Sequence, residues 1–133
     1  MTVVGIVTKE NKILIGKLFE NKVSEFGGIQ YVFPGGKVEG NETPEQAVAR
    51  EIKEEAGVEV KVTAKIASRI HPKTSQEIHY FHCEYLSGKL DPSNKDNDDI
   101  EELLWVDLTE LEKYVPTVFA PVRLFLKLSE VEE

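Results

Sequence analysis

Apolar and polar positions change period several times along the chain, and each change marks an element. Val3 to Thr8 is a short β-rich run, Lys9-Glu10-Asn11-Lys12 a polar turn and Ile13 to Phe19 a second strand, so the pair reads as a hairpin. Glu20 to Gly28 is expected as a loop made flexible by Gly27-Gly28. Ile29 to Phe33 is expected as a third strand, ended by Pro34-Gly35-Gly36. A helical period follows, then Val58, Val60 and Val62 alternate with polar residues and lead through Ala64 and Ile66 in a long strand. His71-Pro72-Lys73-Thr74-Ser75 is a turn or loop. Ile78 to Leu86 is another strand, with Ile78, Tyr80 and His82 on one face and His79, Phe81, Cys83 and Tyr85 on the other. Asp91 to Asp99 is a polar, acidic loop and Leu103 to Val106 a last strand. Leu108 to Tyr114 and Pro121 to Leu128 read as helices, and Ser129 to Glu133 as a frayed end. Strands flank a central helix and more helix closes the chain. The expected architecture is therefore α/β: one domain over residues 1–133, a mixed sheet with helices on both faces.

The central helix carries the chemistry. Thr43 is the expected N-cap, Pro44 suits the first helical position and Gln46 closes a capping box, while Glu45 puts negative charge in the first turn. Gly57 ends the helix in a left-handed conformation, so it runs from Pro44 to Ala56. Val48, Ala49, Ile52 and Ala56 share one apolar arc. Glu51, Glu54 and Glu55 share a second arc bordering it, where like charges three and four residues apart destabilise a helix by a few tenths of a kcal/mol each. A divalent cation turns that repulsion into attraction, and hard carboxylate oxygens are what Mg²⁺ prefers. A Glu-rich face taken alone reads first as solvated surface.

The surrounding stretch narrows the choice. Gly36 to Val58 matches Gly-x5-Glu-x7-Arg-Glu-U-x-Glu-Glu-x-Gly-U (U aliphatic) at every fixed position. With average residue usage, a chance match at a given start is on the order of one in a billion. On these residues the chain resembles the Nudix hydrolases. The resemblance implies an α/β/α sandwich, with the signature as loop–helix–loop. It also implies attack of water on a nucleoside diphosphate linked to another group. Glu51, Glu54 and Glu55 match the family's metal-binding positions, with Mg²⁺ the expected cofactor and Mn²⁺ an alternative; one of the three, or a water beside them, serves as general base. Arg50 matches the arginine that orients a catalytic glutamate, and it can also pair with Glu54 four residues on. Glu42 caps or holds the loop. Glu39 either joins the carboxylates or is solvated. Gly35 and Gly36 let backbone approach a ligand or simply turn the chain. Lys37 meets phosphate or is a solvated charge. Many members use a further carboxylate before a late strand. Glu101 is named for that role, with Glu102, Asp98 and Asp99 also in place.

The substrate implied first is a nucleoside triphosphate, including an oxidised purine deoxynucleotide, on the ground that the chain is short. ADP-ribose or another nucleoside-diphosphate sugar is the alternative, and Pro72 lies roughly where such members carry a proline. Removal of diphosphate from RNA 5′ ends and a non-catalytic nucleotide-binding module are further rivals; the module is disfavoured because every signature glutamate is present.

Composition trims this picture. The chain has 133 residues, 41% hydrophobic and 30% charged, enough for one domain with a core. A formal net charge of −8 argues against a broad basic surface for nucleic acid but not against a phosphate-bearing substrate. The expected partner is a nucleotide small molecule, and a homodimer is allowed. Cys83 is the one cysteine, so an internal disulfide is excluded and a reducing cytoplasm is expected. The N-terminal run is too short and lacks the basic flank of a signal peptide, and no segment has the length and apolarity to span a membrane. His71, His79 and His82 lack the spacing of a helical zinc motif, although His71 and Arg69 sit where a strand end can touch phosphate. Trp105, Phe33 and Tyr80 either stack on a base or belong to the core, and Cys83 is expected to pack.

Overall fold

The computed structural model describes residues 1–72, 74–91 and 99–128. Lys73 of the expected turn, Asp98 of the acidic loop and the end at 129–133 lie outside them.

Among the described residues, seven strands form one split sheet. β1 (Thr2–Lys9) and β2 (Lys12–Leu18) are the expected hairpin, but they pair only at Thr8↔Ile13 and Lys9↔Lys12 and then part. Into the opening come β3 (Tyr31–Val32), on β2, and β4 (Gly35–Lys37), on β1. β6 (Glu77–Ser87) runs parallel to β1, with β5 (Glu59–Ile70) antiparallel beside it; β7 (Ile100–Asp107) closes the other edge on β2.

Two expectations change here. Pro34-Gly35-Gly36 does not simply end a strand: Gly35 and Gly36 are themselves in β4. The strand expected over Ile29–Phe33 is only Tyr31–Val32, because the chain must leave β2 and cross to β1. There the Pro34 carbonyl accepts from Gly5 N at 2.8 Å. The loop expected over Glu20–Gly28 contains a short helix, α1 (Glu20–Val23).

Alternation along the strands makes two cores. Val3, Val7, Leu14, Phe81 and Cys83 pack with Val48, Ile52 and Ala56 of α2 (Pro44–Ala56) on one face. Ile6, Ile13, Ile15 and Tyr80 pack with Leu111, Val118 and Val122 on the other, under α3 (Leu111–Tyr114) and α4 (Ala120–Leu126). A 3-10 turn over Leu108–Glu110 starts the expected helix at Leu108. The mixed sheet between helices is thus the architecture observed. Among the described residues, no helix is long and apolar enough to cross a membrane.

α2 has the boundaries its capping residues imply. Thr43 Oγ1 accepts from Gln46 N at 3.1 Å, Gln46 Oε1 accepts from Thr43 N at 2.9 Å, and Gly57 ends the helix at φ 79°.

Candidate active site

The open end of the split sheet lies against the carboxylate arc of α2. Gly35 N donates to Glu55 Oε1 at 2.9 Å, tying β4 to the helix. Next to it, the carboxylate of Glu51 lies where a side chain at residue 36 would be, and a Cβ at residue 35 would run into the carbonyl oxygen of Val3. The glycine pair is therefore required by close packing within the protein: Gly35 by its strand partner, Gly36 by Glu51.

Arg50 organises the loop before the helix. Its Nε and Nη2 fork onto the two carboxylate oxygens of Glu42 at 2.5 and 3.0 Å, and Nη2 also donates to the Lys37 carbonyl at 2.9 Å. Its Nη1 reaches both Glu51 and Glu54 at 3.1 Å. Glu39 stands 3.8 Å from Nη2. The pairing of Arg50 with Glu54 was legible four residues apart; the fork onto Glu42 was not, because it depends on how the loop folds back. Glu42 holds this loop, as expected. Arg50 keeps the Glu42 carboxyl below its usual range, chiefly through their hydrogen bond.

Electrostatics separate the other carboxylates. Burial pushes Glu55 up to about 7; the Gly35 N–H opposes the rise, and the charges of Glu51, Asp99 and Glu54 add to it. Burial also raises Glu51, against the pull of Arg50. Among the described residues, no three carboxylate, histidine or cysteine side chains stand close enough to cage an ion as they are. Arg50 Nη1 instead donates to both Glu51 and Glu54. The donor set nonetheless fits a hard divalent cation. It consists of carboxylate oxygens only, one of them on the half-buried Glu55.

A cleft of about 590 Å³ runs from Glu55, Gly35 and Gly36 over the second face of the sheet. Phe33, Tyr80 and Phe119 line it, and so do Arg69 and Asp99. Phe33 and Tyr80, weighed as base-stacking residues, are thus in the cleft; Trp105 is not, and packs edge-on against Tyr85. Lys37 is exposed and stands outside the cleft wall.

Glu101, the further carboxylate expected, is not brought to the cluster. The register of β7 against β2 slips between Lys17 and Leu18, Glu101 falls at that bulge, and its carboxylate lies 3.9 Å from Lys17. It belongs instead to a second hollow of about 720 Å³ that holds Lys17 and Glu20 but none of the three helix glutamates. Asp99 is the carboxylate that the turn before β7 places in the cleft near Glu55. Of the histidines, His79 is buried beside Glu77, and His82 bonds Thr8 and Thr63 on the opposite face, as their alternation required.

The model of the NUDIX domain family matches residues 1–125. The chain is 37% identical over 109 residues to an ADP-ribose pyrophosphatase of Methanocaldococcus jannaschii, covering 82% of this chain and 62% of that protein. It is 32% identical over 114 residues to the NAD-capped RNA hydrolase NudC of Photobacterium profundum, covering 86% of this chain and 40% of that one. Against an 8-oxo-dGTP diphosphatase of Proteus vulgaris the identity is 47% over 55 residues, 41% of this chain and 46% of the other. The chain thus spans less than two thirds of each of these relatives. Among solved structures, a NUDIX hydrolase from Nitrosomonas europaea superposes with a TM-score of 0.71 at 25% identity, covering 95% of this chain and 69% of that one. With the signature helix, the split sheet and a family match over nearly all its length, the chain belongs to the Nudix hydrolase family.

Proposed function

We propose that this domain hydrolyses the phosphoanhydride bond of a nucleoside diphosphate derivative, with a divalent cation held by Glu51, Glu54 and Glu55. One observation carries the reading: Glu55, anchored on Gly35 N at 2.9 Å, stands at the wall of an aromatic-lined cleft within electrostatic reach of two further glutamates. Nudix enzymes generally use divalent metal ions; Mg²⁺ is the first choice here and Mn²⁺ the alternative. A bound cation supplies charge neutralisation and Lewis acidity at the phosphoryl oxygens.

The chain's own residues do the rest. Arg50 orients Glu51 and Glu54 through its Nη1. Gly36 leaves the space that Glu51 fills. Glu55, pushed up to about 7, is suited to take a proton from the attacking water near neutral pH. Asp99 takes the role first given to Glu101, and Lys37, exposed and outside the cleft lining, is kept as a phosphate contact because it follows Gly36 in the chain.

The names ADP-ribose pyrophosphatase and NAD-capped RNA hydrolase favour a substrate in which the diphosphate joins two groups. The name 8-oxo-dGTP diphosphatase favours a triphosphate, but that match covers 41% of the chain. Short length does not favour a triphosphate, since the chain spans only part of each relative. We therefore put the joined diphosphate first and the triphosphate second. Capped RNA belongs in the assay despite the acidic balance. Cys83, buried with its thiol pushed up to about 12, is in keeping with a reducing cytoplasm. A homodimer is proposed on the exposed Ile70, Leu86 and Leu124, and sedimentation of the purified chain checks it.

Incubation with Mg²⁺ and equal amounts of ADP-ribose, NAD-capped RNA, a dinucleoside polyphosphate and common and oxidised dNTPs, with identification of products, tests the reading. Monophosphate from a joined diphosphate as the fastest reaction supports it. Pyrophosphate from a triphosphate as the fastest reaction moves the substrate to the second reading. No metal-dependent product from any of them overturns it.

A further inference from the structure

Arg69 has no part in the carboxylate site, yet it lines the same cleft, and among the described residues of that lining it is the one with a positive charge. It lies at the end of β5, opposite Ile78 of β6, which is opposite Thr2 of β1. Its place is fixed at two points. Nε donates to the Tyr80 hydroxyl at 3.2 Å, and the guanidinium carbon lies 5.1 Å from the centre of the Phe119 ring. Among the described residues it has no carboxylate partner, and Nη1 and Nη2 make no hydrogen bond.

A guanidinium held by Nε and by its face presents a fork of N–H donors at its other edge. Arg69 is exposed, so its Nη donors are open to water in the free protein, and a substrate that covers them must bring acceptors of its own. Position decides which part of the substrate brings them. Gly35, which holds Glu55, is opposite Val4, and Val4 is opposite Tyr80, two strand spacings or about 10 Å away. If the reactive phosphates lie at Glu55, a flat nucleoside extends over Phe33 and Phe119 towards Arg69, while Tyr80, 7% exposed and packed on Phe119, contributes its hydroxyl to hold Arg69. Those rings suit a base, which stacks, and not a phosphate, which would lose its water among apolar side chains.

We propose that Arg69 is a specificity-determining residue that reads the base. Its free Nη pair takes the adjacent O6 and N7 acceptors of guanine, so guanine nucleotides are preferred over adenine. Adenine presents an amino donor beside N7, which opposes the fork with a like group. The proposal rests on the nucleotide reading of the site and adds the base, for which two of the relatives' names carry adenine instead.

Matched pairs isolate the base at constant leaving group: GTP against ATP, and GDP-glucose against ADP-glucose, each assayed for kcat/KM in Mg²⁺. The wild-type protein should favour guanine by about 10- to 100-fold. Arg69→Ala should bring the ratio to near one, mainly by raising KM for the guanine member of each pair. Arg69→Lys, which keeps the charge and loses the fork, should also lose most of the preference. A wild-type ratio at or below one overturns the proposal, and so does an equal loss for every nucleotide in Arg69→Ala, which is the mark of a phosphate contact. If the alanine variant does not fold, the wild-type ratio alone decides. If no nucleotide is hydrolysed, the catalytic reading fails on its own, and calorimetric binding of GMP against AMP still tests Arg69.

Discussion

The carboxylate of Glu51 occupies the space that a side chain on Gly36 would need. That makes the second glycine of the pair a condition for the position of a glutamate on a different element. The first glycine meets backbone instead: a Cβ on residue 35 would collide with the Val3 carbonyl oxygen. The two alanine variants should therefore fail differently. In Gly36→Ala the neighbour is a side chain that can swing away, so turnover should fall by on the order of 100-fold while stability falls by about 1 kcal/mol. In Gly35→Ala the neighbour is a strand that cannot yield, and stability should fall by about 2–3 kcal/mol. Urea unfolding and kcat on both variants check this; equal kinetics with equal stability loss would show that the pair only turns the chain.

Arg50 holds Glu42, Glu51 and Glu54 at once. Arg50→Ala should destabilise the metal-free protein by about 1–3 kcal/mol, because it leaves three neighbouring carboxylates without their cation. Arg50→Lys should recover little, since an ammonium cannot fork onto Glu42. Mg²⁺ should restore more of the loss than it adds to the wild-type protein. Chemical denaturation with and without metal measures both effects, and an unchanged midpoint in Arg50→Ala would show that the network contributes nothing.

Helix α2 was legible from Thr43, Gln46 and Gly57 because caps are local: each acts within a turn of its own position. The carboxylate arc was legible for the same reason, through the helical period. Strand β4 was not. Pro34-Gly35-Gly36 has no β-forming side chains, and the strand exists because β1 and β2 part and leave an edge of β1 to be paired. The choice between Glu101 and Asp99 depended on a bulge in a strand pairing eighty residues apart in sequence, roughly, which no local period records. Arg69 could be singled out as a strand-end cation, but its cleft needed Phe119 from the far end of the chain.

Glu55 gives the metal-free protein a pH dependence of definite sign. Its folded value, about 7, lies above the ordinary 4.5. Its protonated form is favoured by folding, so this contribution is fully present below the unfolded value and is lost as pH rises from about 4.5 through 7. In a chelator, the melting temperature should fall across that window, and Glu55→Gln should flatten the fall. A wild-type profile that rises between pH 5 and 7, with no change in the variant, would contradict the burial of this carboxyl.

Metal should stabilise the fold, because a ligand bound only by the folded state does so by mass action. At about 100 times Kd, Mg²⁺ or Mn²⁺ should add roughly 2.7 kcal/mol. The rise in melting temperature should shrink in Glu54→Gln, which removes one charge from the set. No shift at saturating metal would count against a carboxylate site.

The central claim is that Glu55, beside Glu51 and Glu54 at the mouth of the cleft, is part of a hydrolytic machine. The most direct test is the turnover of Glu55→Gln on the best substrate in saturating Mg²⁺. The variant keeps the shape and an acceptor for Gly35 N, and loses only the charge and the proton exchange. We expect kcat to fall by about 10²- to 10⁴-fold, with a metal-free melting temperature at pH 8 no lower than that of the wild type. Turnover within a few-fold of the wild-type value would contradict the account.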